Sequence, residues 1–158
     1  MKTLAEELKE IALIKAIELD KERELAVLNK EKLEQERINL ILQKTYNYFE
    51  SNWIKKAKKA ALYGQTNFNV ELNSRGRNES IETYDKTSDC YLITGTYMSE
   101  LYDIIMNKIG KDYFNSLCKK IEEKGFKNVK ITCKSWDWTT FSCESITSYS
   151  IYLSGEFK

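Results

Sequence analysis

The chain has 158 residues, 42% of them hydrophobic and 31% charged, with a net charge of +1 at pH 7. That is enough for one core with an appendage, and too little charge for bulk attraction to a polyanion. There is no His and no Pro, so the commonest general base and catalytic metal ligand is missing and nothing interrupts a long helix.

Residues 1–50 carry 9 Lys/Arg against 11 Asp/Glu (−2), and residues 51–158 carry 16 against 13 (+3). At the N-terminus Leu4, Leu8, Ile11, Ile14 and Ile17 recur at steps of three and four, the period of one helix face. Glu6, Glu7, Glu10 and Glu18 break this apolar run. It therefore reads neither as a secretory signal nor as a membrane span, which needs about twenty apolar residues, and a cytoplasmic location without membrane contact is expected. From Glu18 to Arg37, 12 of 20 residues are charged, and the apolar line thins to Leu19, Leu25, Leu28 and Leu33. No strict heptad threads the segment, so a long two-stranded coiled coil is not expected. Residues 1–44 are read as a helical extension that packs in a hairpin or an oligomeric bundle, since propensity alone does not hold so charged a helix.

Residues 45–158 are read as an α+β domain. Tyr46, Phe49, Trp53, Ala57, Ala60 and Ala61 line one side of a helix that Gly64 ends. Phe68, Val70 and Leu72 alternate with polar neighbours as a half-buried strand. A polar loop over 73–88 follows, then an apolar strand over 90–94. Residues 97–124 are expected to be helical, with Gly110 dividing the run and Gly125 closing it. Val129, Ile131 and Cys133 share one strand face, and Tyr149, Ile151 and Leu153 another; the Trp136–Thr140 stretch between is expected to turn. The fold class is thus a long N-terminal helical extension followed by a small, mostly antiparallel sheet covered by helices.

The succession of Trp53, Ala57, Ala61 and Gly64, a strand, a helix ending in Glu123-Lys124-Gly125-Phe126, a basic strand and a final aromatic-aliphatic strand resembles small uncharacterised α+β proteins encoded by bacteriophages. The resemblance covers about residues 45–158, and this chain ends in Ile151-Tyr152-Leu153-Ser154 where those often end I-S-W. It implies a phage or prophage origin, with the host cytoplasm as location, and no particular activity. The Lys, Glu, Asn, Ile and Tyr bias suits an AT-rich genome.

Catalytic and metal motifs are missing from the sequence. Cys90, Cys118, Cys133 and Cys143 lie far apart with no CxxC, which reads as reduced thiols rather than a zinc site, although Cys133 and Cys143 flank a hairpin and would be able to face each other. No phosphate loop occurs, Asp137 has no carboxylate partner, and no Ser or Cys has a nucleophile context. A non-enzymatic protein without cofactor or metal is expected.

Binding residues are easier to nominate. Lys55, Lys56, Lys58 and Lys59 make a basic helix face, suited to phosphates or simply to solvent. Arg75 and Arg77 flank a loop glycine and are able to clamp an anion. Trp136 and Trp138, with Lys130 and Lys134, combine aromatic surface with positive charge, as a nucleotide or a protein partner would require, unless they are core. The function expected is an oligomeric accessory protein that binds a host protein or an anionic, nucleotide-like ligand in an inhibitory or sequestering role. A structural component of a virion is the alternative, and a nucleic-acid-binding factor the second.

Overall fold

A computed structural model describes residues 1–73, 89–139, 141–143 and 145–158. It is an α+β fold with a long N-terminal helix, α1 (Leu4–Leu62), and a three-stranded antiparallel sheet accompanied by further helices. The chain divides into two units, Met1–Asn39 and Leu40–Lys158.

In the first unit α1 begins with a reciprocal cap. The Glu6 carboxylate accepts from the Thr3 backbone N–H at 2.8 Å, and the Thr3 hydroxyl accepts from the Glu6 N–H at 3.4 Å. Ion pairs three residues apart follow: Lys15–Glu18 at 3.3 Å, Asp20–Arg23 at 3.8 Å and Glu34–Arg37 at 2.9 Å. Hydrogen bonding from Arg37 holds the Glu34 carboxyl below its ordinary value. Such exposed, solvent-screened pairs contribute little to stability. Every residue from Met1 to Arg37 is exposed, so the unit has no core.

The second unit holds the core. From Ile41 onward α1 buries Ile41, Leu42, Thr45, Phe49, Trp53, Ala57 and Ala60, one face at helical spacing. Ala61, expected on that face, is exposed, because the buried stripe turns through Ala60 instead. Gly64, at φ 74°, ends the helix in a Schellman turn: Gln65 N–H donates to the Ala60 carbonyl and Gly64 N–H to the Ala61 carbonyl, both at 3.0 Å.

Strand β1 (Asn67–Asn73) pairs with β3 (Ser145–Glu156), and β3 pairs with β2 (Lys127–Thr139), so among the described residues β3 is central and β2 is a long edge. The register sets Val70 opposite Leu153 and Leu72 opposite Ile151, all buried on the inner face with Phe68. A bulge between Lys127 and Lys130, with Asn128 at φ 53°, re-aims the start of β2, and the Asn128 amide donates to Glu156 at 3.1 Å.

Among the described residues, four short helices lie between β1 and β2: α2 (Asp89–Thr94), α3 (Met98–Met106), α4 (Lys108–Tyr113) and α5 (Asn115–Glu122). Leu101, Ile105, Phe114, Leu117 and Ile121 bury their side chains.

Three expectations are corrected. Residues 90–94 form helix α2, not a strand: five apolar-rich residues carry no period of their own, and the buried Thr94 hydroxyl donates back to the Cys90 carbonyl at 2.7 Å. The helix expected over 97–124 is three helices, because Asn107 is extended at ψ 147° and Gly110 folds against the end of α3. Residues 136–139 are not a turn but the end of β2, where Trp136 pairs with Ser148 and Thr139 with Ser145. Their aromatic and β-branched side chains suit a strand.

Two glycines should be intolerant of a methyl group. A Cβ on Gly155 would lie 2.7 Å from the Phe68 ring and 3.2 Å from Val129, and one on Gly110 would lie 2.0 Å from the Ile104 carbonyl oxygen. Overpacking of this kind costs about 1–3 kcal/mol. Gly155→Ala is expected inside that range in urea unfolding, and Gly110→Ala at its top or beyond, since it meets backbone. Wild-type stability in Gly110→Ala would rule out this approach of α4 to α3.

Candidate functional site

The outer face of the sheet is where alternation delivers most of the expected binding residues. Lys130, Thr132, Lys134 and Trp136 occupy every second position of β2, opposite Ser154, Tyr152, Ser150 and Ser148 of β3. Trp136 is 49% exposed, too open for a core residue. The Lys134 ammonium stands 5.3 Å over the Tyr152 ring, and its bond to the Tyr152 hydroxyl raises its affinity for the proton. Trp138 shares this register, opposite Ile146. Tyr149 lies on the inner side, half-buried, with its ring 5.0 Å from Tyr102. The Asp137 carboxylate accepts from the Thr147 hydroxyl at 2.6 Å, a cross-strand partner rather than an acid–base pair.

The helix lysines are separate from this face. Lys55, Lys56 and Lys59 are exposed on α1, and Lys56 and Lys59 line an open, polar depression of about 360 Å³ with Tyr63, Asn67 and Asn69. Arg75 and Arg77 lie outside the described residues.

A second site was not foreseen. Helices α3, α4 and α5 meet β2 along a cleft of about 430 Å³. Ile105, Phe114, Val129 and Ile131 supply its apolar surface, and Cys118 and Cys133 add two thiols. Lys111 and Lys119 add two basic residues against a single carboxylate, Glu122; Lys130 also borders the cleft, but alternation turns its side chain to the outer face. On α5 the contributing residues Asn115, Cys118, Lys119 and Glu122 recur at helical spacing, and on β2 Val129, Ile131 and Cys133 recur at strand spacing. Both periodicities stand in the sequence; which face meets which does not.

The thiols in this cleft are neutral at physiological pH. Burial pushes Cys133 up to about 11, against a smaller opposing pull from the Lys111 charge, and burial with the Glu122 charge raises Cys118. Cys90, buried on α2, is likewise pushed up to about 11 by burial. Thiols so protonated are poor nucleophiles and poor metal ligands. All four cysteines are free, and Cys143 is exposed. Cys133 does not face Cys143, since the register sets it opposite Ile151 while Cys143 stands in the turn at φ 61°.

Among the described residues, no helix is long and apolar enough to cross a membrane. Comparison with protein-family models, curated proteins and solved structures finds no match.

Thiol reactivity and alkaline stability test this arrangement. Iodoacetamide at neutral pH should label Cys143 first and Cys90 last, as read by mass spectrometry. Cys90 and Cys133 keep their protons to about 11 when folded against an ordinary 9.0, so the unfolded chain ionises first as pH rises. Stability should therefore be full below about 9 and fall between 9 and 11, more gently in Cys90→Ala.

Proposed function

We propose that this chain is a non-enzymatic binding protein that works as an oligomer: residues 1–39 associate with the same segment of other copies, and Leu40–Lys158 is the binding module. The observation that carries the reading is the run of exposed large apolar side chains on the first unit, Leu4, Leu8, Ile11, Leu13, Ile14, Ile17, Leu19, Leu25, Val27, Leu28 and Leu33. A helix with so much apolar surface in water gains by covering it. Covering five or six of these at about 1.5–3 kcal/mol each is of the same size as the association cost of about 4–15 kcal/mol.

Charge favours a second copy as the occupant. Residues 1–39 hold 8 Lys/Arg and 10 Asp/Glu, a net of −2, with the two signs interspersed. Copies laid side by side therefore bring opposite charges within reach and accumulate little repulsion. The same balance speaks against nucleic acid or an anionic lipid surface as the partner of this segment. The bias of the sequence and its motif resemblance favour a phage or prophage origin, which is part of the same proposal.

Light scattering and native mass spectrometry of the full chain test the reading. A defined oligomer is expected at micromolar concentration, and Leu8→Gln/Ile11→Gln/Leu25→Gln/Leu28→Gln should dissociate it while the module stays folded. A monomeric full chain would overturn the assembly role. Truncation also separates the units. Removing residues 1–38 should yield a folded, smaller species. Removing residues 1–44 deletes the buried Ile41 and Leu42 and should destabilise it by several kcal/mol more.

A further inference from the structure

We infer that the cleft between α5 and β2 binds an amphipathic organic anion, with an apolar body of medium-chain length against Ile105, Phe114 and Ile131 and a carboxylate or phosphate head beside Lys111 and Lys119. This rests on the reading of Leu40–Lys158 as a binding module and names its ligand class.

The cleft, at about 430 Å³, falls within the range of about 300–1,000 Å³ that small-molecule sites occupy. Its interior is chemically quiet. The aliphatic and aromatic side chains carry no charge, and the Cys118 and Cys133 thiols, held protonated by burial, add none. Such a surface favours a hydrocarbon body over a sugar or a base edge.

The charges sit on the rim, two lysines against one carboxylate. Neither Lys111 nor Lys119 meets a carboxylate within ion-pair distance among the described residues. By contrast, Lys120, next in sequence to Lys119, has Glu50 at 4.0 Å and Tyr46 at 3.4 Å. The Lys111 charge is felt at Cys133, so one ammonium stands close to the apolar floor, where a head group attached to a buried tail would end. An anion with an apolar tail satisfies both surfaces at once, whereas a cation or a wholly polar anion satisfies at most one.

The test is calorimetric titration of the full chain with dodecanoate and with dodecyl phosphate, each below its micelle concentration, with dodecyltrimethylammonium as the control. Light scattering is recorded on the same samples. Saturable binding of one anion per chain is expected, weakening about tenfold for every two carbons removed. Preference between the two anions identifies the head group. Lys111→Glu/Lys119→Glu should weaken binding at least tenfold with unchanged circular dichroism. If that pair fails to fold, Lys111→Glu alone and the tail-blocking Ile131→Trp provide the same reading. Equal binding of the cation, indifference to charge reversal, or uptake without saturation would overturn the inference, the last marking adsorption to residues 4–33. An oligomer that binds neither anion overturns the cleft assignment alone; a monomer that binds one overturns the assembly alone.

Discussion

Trp53, Phe68, Phe126 and Phe157 meet ring to ring, with centroids 5.2–5.8 Å apart and three of the four contacts edge to face. This contact chain ties the last turns of α1 to the first strand, to the entry of β2 and to the segment following β3. Gly155 lies opposite Phe68 in the register, and the ring lies where a side chain would stand. A second chain runs through Tyr46, Phe49, Tyr113 and Phe114, with centroids 5.5–6.4 Å apart, and joins α1 to α4 and α5. Aromatic pairs in such geometries add about 0.5–1.5 kcal/mol beyond their burial, so the two chains fix helices and sheet rather than merely filling space.

The cleft follows from that arrangement. With β3 in the centre, β2 has a strand on one side only among the described residues, and α3 to α5 lie along its inner face. The break of the helical run at Asn107 and Gly110 turns the chain sharply enough for Lys111 and Phe114 to reach the same space as Cys118 and Cys133. A continuous helix over 97–124 would have set Ile105 and Glu122, which both line the cleft, about 25 Å apart along its axis. The thiols behave as apolar surface there, because burial raises them further than the nearby ammonium lowers them.

The first unit obeys different physics. Its cap and its ion pairs fix local helical geometry, yet each is exposed and screened by salt, and its apolar side chains lie open. In the second unit most described residues of these types are at least partly enclosed, with Leu40, Ile54, Leu62 and Leu92 left open. The contrast shows up in one helix: Leu25, Leu28 and Leu33 are exposed, whereas Ile41, Leu42 and Phe49 have at most 4% of their surface open.

Much was legible in the residues themselves. Steps of three and four marked α1, alternation marked β1 and β3, and Gly64 and Gly125 marked the helix ends, because these depend on local backbone preference and on side-chain period. The position of Lys130, Lys134 and Trp136 on one strand face was likewise fixed by alternation. What local period does not encode is which face meets which. Residues 90–94 were too short to show a period, Trp136 and Thr139 were assigned to a turn because their pairing partners lay in another segment, and the cleft joins side chains that are up to 28 positions apart. Those features are set by strand pairing and by the docking of α3 to α5 on the sheet, long-range contacts whose energy comes from shared burial and which therefore exist only once the tertiary structure has formed.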